Sequence, residues 1–278
     1  MKDKAYAKIN LSLDVCGIRE DGYHEIDSIM LPINFYDLLE IRISDQDSYR
    51  CNWPYIRDNG NNSILKMISV LKEKYQIRDH FMIDLYKSVP TQAGLGGGTA
   101  DAASTLRILK KLYHLDPSPE EIKEICMKVG ADVLFNYYNV PARVTGIGDV
   151  LQEIPVRNDY HILLVKPKKG VSTPAAYELL DLDRCIHPDI DRLQKALAEG
   201  TSIEGLLGNS MQDAAMILNE EIKEVMTCLK ETGAKNVLMS GSGSTVFCIS
   251  ENKDEIMRLY KALRNAHSYV RFGKILTK

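Results

Sequence analysis

Residues 89–105 read VPTQAGLGGGTADAAST, and four of the five positions from Gly94 to Gly98 are glycine. Upstream, Phe81, Ile83 and Leu85 alternate with Met82, Asp84 and Tyr86 as in a strand; downstream, Ala102, Ala103, Leu106 and Leu109 recur at helical spacing. A strand-to-helix turn this rich in glycine lets several backbone N–H groups converge on one point, where the helix N-terminus adds partial positive charge. An oligophosphate is the ligand such a cradle suits. Two commoner phosphate loops do not fit. A dinucleotide fingerprint begun at Gly94 needs glycine where Thr99 stands, and no Gly-Lys-Ser/Thr triplet occurs in the chain. A tight turn without a ligand is the alternative that the loop alone leaves open.

With 278 residues, 45% apolar and 26% charged, the chain can bury a core without staples and has room for two modest domains. Its formal charge of −3 gives no electrostatic case for nucleic acid or an anionic membrane as partner, so a small-molecule substrate is expected. Cys16, Cys51, Cys126, Cys185, Cys228 and Cys248 form no Cys-x-x-Cys pair, which argues for reduced, buried thiols rather than zinc or disulfides. The opening Met1-Lys2-Asp3-Lys4 leads into an alternating run rather than a signal-peptide core, and no apolar segment approaches membrane-spanning length. A cytoplasmic protein, monomeric or weakly dimeric, is the expectation.

From Ala5 to Val15 the odd positions are apolar and the even ones carry Tyr6, Lys8, Asn10, Ser12 and Asp14, so Lys8 and Asn10 project together, into solvent or into a site. Asp21-Gly22 is a turn signal, and Tyr23 and His24 beyond it are placed either to pack a hairpin edge or to stack on a planar ring. Asp58-Asn59-Gly60-Asn61-Asn62 is a polar loop before a helix carrying Ile64, Leu65, Ile68 and Leu71, where the amides cap the helix or read a base edge. Ser118-Pro119-Glu120-Glu121 is a capping box, with Gly130 as the expected stop. Asp132 then stands before Val133, Leu134 and Phe135, as a capping residue or as a partly desolvated carboxylate that wants a cation.

Pro155 to Tyr160 is the expected junction between domains at 1–156 and 157–278. In the second half, Thr173-Pro174 opens a helix bearing Tyr177, and Ser240 to Thr245 is a second amide-rich loop between two short strands.

Ala5 to Leu11, Asp21 to His24, Gly94 to Asp101, Gly130 to Val133, Thr145 to Asp149 and Ser240 to Gly243 together resemble the GHMP-superfamily kinases, in the same order and across essentially the whole chain. The resemblance implies an α+β fold with two domains. The N-terminal one is of the ribosomal protein S5 domain 2 type, the C-terminal one is ferredoxin-like, and the active site lies in a cleft between them.

It also implies an ATP- and Mg2+-dependent kinase acting on a cytidine diphosphate-linked methylerythritol, with Asp132 as catalytic base and Lys8 as its cationic partner. By the same resemblance Gly94, Leu95, Gly96, Gly97, Gly98, Thr99 and Ala100 hold the ATP phosphates, while Asn62 and Lys87 lie near the adenine. Asn10, Tyr23, His24, Thr173, Pro174 and Tyr177 contact the cytidine substrate, Tyr23 and Tyr177 against the ring. Another small-alcohol kinase of this superfamily, or a catalytically silent nucleotide-binding homologue, are the alternatives. The chain departs from the superfamily pattern at Thr99-Ala100, where two serines are usual. It departs again at Leu134 and Ser244, where prolines are usual, and along Asn139 to Arg143. No metal ligand is assigned.

Overall fold

The alternation around Lys8 becomes β1 (Lys2–Ile18), whose apolar row from Ala5 to Val15 is buried. The opposite row does not face water. Lys8, Asn10 and Ser12 are buried as well, which a polar row tolerates only where hydrogen bonds replace solvent. The computed structural model describes residues 1–56 and 62–277, so residues 58–61 of the predicted polar loop lie outside the described residues.

After β1 come β2 (His24–Ser44), β3 (Ser48–Cys51), α1 (Ser63–Tyr75), β4 (His80–Tyr86), α2 (Gly97–Leu112), α3 (Pro119–Met127), α4 (Val133–Tyr138), β5 (Ala142–Gly146) and β6 (Val150–Glu153). The second half continues with β7 (His161–Lys166), α5 (Thr173–Glu178), α6 (Ile190–Glu199), α7 (Gln212–Leu218), α8 (Glu221–Glu231), β8 (Val237–Met239), β9 (Val246–Ser250), α9 (Lys253–Leu263) and β10 (Tyr269–Lys274). The sequence pattern shows only residues 39–43 of β2. Upstream of them, Asp27, Pro32, Asn34 and Asp37 interrupt the period although the backbone stays extended.

The chain divides into two compact units, both discontinuous. The first comprises Met1–Ala7, Phe35–Pro90 and Gly96–Asn139; the second comprises Lys8–Asn34, Thr91–Leu95 and Val140–Lys278.

In the first unit, the later part of β2 pairs antiparallel with β4, Leu39 opposite Leu85, Ile41 opposite Ile83 and Ile43 opposite Phe81. β3 runs parallel to β4 on its other side. Leu39, Ile41, Phe81, Ile83 and Leu85 turn one face to the apolar stripes of the helices: Ile64, Met67 and Leu71 of α1, Leu106 and Leu109 of α2, and Ile122 and Ile125 of α3. Each such side chain contributes about 1.5–3 kcal/mol by leaving water. The capping box of α3 is complete: Ser118 Oγ accepts from Glu121 N and Glu121 accepts from Ser118 N. The helix nevertheless ends at Met127 rather than running to Gly130: Val129 N–H donates to the Cys126 carbonyl three residues back, which tightens the last turn.

In the second unit, the early part of β2 pairs with β5, and β5 forms a hairpin with β6. The C-terminal strands make a four-stranded antiparallel sheet in the order β10-β7-β9-β8, the order of a ferredoxin-like fold. Ile222, Val225 and Leu229 of α8 and Ile256, Leu259 and Leu263 of α9 share one core with Leu163, Val165, Val246, Cys248 and Val270. Cys126 and Cys248 are the buried thiols; Cys51, Cys185 and Cys228 are half-buried and Cys16 is exposed, and none forms a disulfide.

Candidate active site

In the second unit, the polar row of β1 is tied to two loops. Lys8 Nζ donates to Asn10 Oδ1 at 2.6 Å, Asn10 Nδ2 donates to Ser28 Oγ at 2.9 Å, and the Lys8 backbone N–H donates to Leu95 O at 3.0 Å. Asn10 N donates to Ser240 Oγ at 3.2 Å, and that hydroxyl donates to Gly94 O at 2.9 Å. Ser240 therefore joins β1, the glycine turn and the second amide-rich loop. The approach is close enough to require glycine: a Cβ on Gly94, whose φ is +70°, would lie 1.9 Å from Ser240 O.

In the first unit the glycine turn becomes the first turn of α2. Gly96 takes the left-handed conformation at the N-cap, and the helical ladder begins with Ala100 N donating to Gly96 O at 2.8 Å. Helix geometry therefore turns the N–H groups of Gly97, Gly98 and Thr99 outward from that end, the donor set an oligophosphate needs. Thr99 Oγ1 donates to Gly96 O at 2.9 Å, and Asn136 Nδ2 donates to the same carbonyl at 3.1 Å. Asn136 is 2% exposed and carries no local sign of that role.

Lys87 lies beneath this turn, 3% exposed, with Nζ 2.5 Å from Asp37 Oδ2 and 2.8 Å from Asp101 Oδ2. Asp37 Oδ1 also accepts from Ser88 N and Val89 N, which fixes the approach to the turn. A Cβ on Gly97 would sit 3.0 Å from Val89 Cγ1 and 3.3 Å from Lys87 Nζ. Burial pushes the Asp101 carboxyl up to about 7, against the pull of the Lys87 ammonium. The same burial works against the Lys87 charge, yet the two carboxylates outweigh it and hold the ammonium above its ordinary range.

Two residues left open by the sequence are now defined locally. Asn62 caps α1, its side-chain oxygen accepting from Ile64 N and Leu65 N. Asp132 occupies the N-cap position of α4 without using its side chain as a cap, and is half-buried.

The residues expected on the cytidine side all belong to the second unit. The Asp21-Gly22 turn closes with Arg19 N donating to Tyr23 O at 2.8 Å, leaving Tyr23 exposed. The His24 and Tyr177 rings pack with centroids 4.4 Å apart, and Thr173 Oγ1 lies 2.7 Å from Ser242 Oγ. Pro174 is exposed in the first turn of α5.

The departures from the superfamily pattern are accommodated. Leu134 is buried in the first unit's core. Ser244 Oγ donates to Lys169 O at 2.8 Å. Asn139 takes the left-handed cap of α4, and Arg143 clasps Asp27 through Nε and Nη2 while Nη1 reaches Asp191 at 2.6 Å. Ala100 is buried, and Thr99 carries the one hydroxyl of the pair.

Two family models match the chain: the GHMP kinases N terminal domain over residues 62–146 and the GHMP kinases C terminal over residues 176–268. A Thermoanaerobacter pseudethanolicus protein named 4-diphosphocytidyl-2-C-methyl-D-erythritol kinase is 39% identical over 282 residues, covering 100% of this chain and 97% of its own. The chain belongs to the GHMP kinase family, in that kinase's branch. A Bacillus cytotoxicus protein of the same name is 38% identical, with 94% and 92% of the two chains covered. A crystal structure of 4-(cytidine 5'-diphospho)-2C-methyl-D-erythritol kinase superposes with a TM-score of 0.84 at 31% identity, covering both chains fully. A homoserine kinase from Cytophaga hutchinsonii, with a TM-score of 0.77 at 17% identity over 100% of this chain and 94% of its own, shares the fold alone. As a member of this family, the chain is an ATP-dependent phosphotransferase of two-domain α+β architecture. Among the described residues, no helix is long and apolar enough to cross a membrane.

Proposed function

We propose that this kinase transfers the γ-phosphoryl group of ATP to the 2-hydroxyl of 4-diphosphocytidyl-2-C-methyl-D-erythritol, in the cytoplasm, as a step of non-mevalonate isoprenoid synthesis. The observation that carries the reading is the identity to kinases of that name over 100% of the chain. Phosphoryl transfer asks a protein for position and charge rather than for covalent chemistry. In this reading Asp132 takes the proton of the 2-hydroxyl as its oxygen bonds to the γ-phosphorus. The bond from that phosphorus to the β,γ-bridging oxygen breaks, and its electron pair leaves on ADP. Lys8 offsets the negative charge of Asp132 and of the transferring group.

The N–H groups of Gly97, Gly98 and Thr99 bind phosphate oxygens, with Gly94, Leu95, Gly96 and Ala100 shaping the turn that aims them. Lys87 contributes to ATP binding by holding that turn from beneath, and Asn62 by placing the start of α1. On the other substrate, Asn10 and His24 supply polar contacts, Tyr23 and Tyr177 supply ring faces for cytosine, and Thr173 and Pro174 shape the pocket at the start of α5. A Mg2+ ion would supply further neutralisation of the phosphates. Thr99 Oγ1 donates its proton to Gly96 O, so its oxygen lone pairs remain available, and Thr99 would be the protein's oxygen ligand to such an ion. The reading keeps a boundary between the ATP-binding and C-terminal domains at 156/157, and a substrate that is a small molecule.

The test is phosphate transfer from Mg-ATP to 4-diphosphocytidyl-2-C-methyl-D-erythritol, with Asp132→Asn alongside. Turnover by the parent that falls about 100-fold or more in a folded Asp132→Asn variant is the expected result. ATP binding with no turnover on this substrate would overturn the assignment. Activity on mevalonate or homoserine would then identify a related kinase, and inactivity on all three a silent homologue.

A further inference from the structure

Ser28 has no solvent exposure, and its hydroxyl has two neighbours of fixed character. Oγ lies 2.6 Å from Ser12 O, a carbonyl that can only accept, so the hydroxyl proton is committed there. The group 2.9 Å away on Asn10 must then be a donor, which makes it the amide nitrogen. The Asn10 amide oxygen is consequently turned to Lys8 Nζ at 2.6 Å, a group that can only donate. A flipped amide would oppose NH2 to the ammonium and set its carbonyl against a hydroxyl with no proton to give. The backbone leading into Asn10 is fixed as well, by Ser240 Oγ at Asn10 N and by Leu95 O at Lys8 N.

We propose that Ser28 is a positioning residue for phosphoryl transfer: through the Asn10 amide it sets the direction of the Lys8 ammonium. The proposal rests on the reading of Lys8 as the cationic partner in the reaction. Ser28 acts through Asn10 and Lys8, without meeting either substrate. Its loss leaves a buried amide donor unpartnered and removes the reason for one amide orientation over the other.

The test is a cycle of Ser28→Ala and Asn10→Ala, read as kcat and KM for both substrates. Ser28→Ala is expected to lower kcat about 10- to 100-fold, with KM for ATP within about threefold of the parent. In the Asn10→Ala background the same change is expected to lower kcat by less than about twofold, because the amide it orients is gone. A kcat for Ser28→Ala within twofold of the parent, or a loss that persists in full in the Asn10→Ala background, would overturn the proposal.

A second readout, made on the parent and on Ser28→Ala, needs no turnover. The Asn10 carboxamide pair in 1H–15N spectra of the parent, assigned by its absence in Asn10→Asp, is expected to exchange slowly with solvent. Exchange as fast as that of an exposed carboxamide would overturn the proposal whatever the kinetics show. If the parent turns over no substrate, the function above fails, while the comparison still decides whether Ser28 orients Asn10: faster exchange in Ser28→Ala than in the parent is expected, and equal rates in the two would overturn the proposal.

Discussion

Lys8 and Lys87 are 4% and 3% exposed, yet the first donates to the neutral amide of Asn10 and the second lies between the carboxylates of Asp37 and Asp101. Carboxylates hold a lysine by charge and raise its affinity for the proton, whereas an amide oxygen fixes mainly its direction. The first kind of grip suits a part that must not move. The second suits a cation whose charge is to act on a ligand. In the proposed function, Lys87 is the anchor under the glycine turn and Lys8 the group that meets the chemistry.

Lys87→Met is the sharpest way to break the contrast. It would strand two buried carboxylates, and removing one partner of a buried ionic group typically destabilises by about 3–5 kcal/mol. Urea unfolding of the variant should show a loss of that order, with any activity loss following from the unfolded fraction. A variant as stable as the parent would mean that the carboxylates find other partners and that the anchor role is wrong.

Lys8→Met should behave in the opposite sense. Its expected effect is a fall in kcat of about 100- to 1,000-fold, equal to roughly 3–4 kcal/mol of transition-state stabilisation. The accompanying loss of stability should be smaller than for Lys87→Met, because that change leaves two buried carboxylates, Asp37 and Asp101, behind. Kinetics and urea melts on the same preparations check both halves. Equal stability losses in the two variants would erase the distinction between anchor and acting group.

The two lysines also differ in how far the sequence announces them. Lys8 sits in a run of strict alternation, so its side of β1 is legible locally, but its burial is not. The groups that tie this stretch of β1 down, Leu95 O at Lys8 N and Ser240 Oγ at Asn10 N, are distant in the chain. The glycine turn is legible as a tight strand-to-helix connection because four glycines between a strand and a helix free the backbone to bend sharply. The specific need for Gly94 is hidden, since it depends on the carbonyl of Ser240, 146 residues away.

Asp37 and Asp101 are not legible at all. Asp37 breaks the period of β2, and Asp101 reads as an acid favoured near a helix N-terminus. They are brought to Lys87 from 50 and 14 residues away, a distance over which periodicity carries no information. Ser28 and Asn136 escape notice for the same reason. A buried serine or asparagine gains its meaning from a partner that only the fold supplies.

Asp101 offers a smaller and finer test of the anchor. Its carboxyl is raised from 3.8 in the unfolded chain to about 7 in the folded one, chiefly by burial, and one of its oxygens has no hydrogen-bond partner. Between those values the folded state therefore holds more proton than the unfolded state, so this group makes stability fall as pH rises from about 4 to about 7. Asp101→Asn keeps the shape, offers an oxygen to Lys87 and an N–H2 to the unpartnered side, and does not titrate. Its stability should consequently vary less with pH over that interval, by about 1–2 kcal/mol relative to the parent. Urea melts of both proteins from pH 4.5 to 7 would show the two curves separating. Parallel curves would mean that Asp101 stays ionised throughout, so that charge on both carboxylates, rather than a shared proton, holds Lys87 beneath the glycine turn.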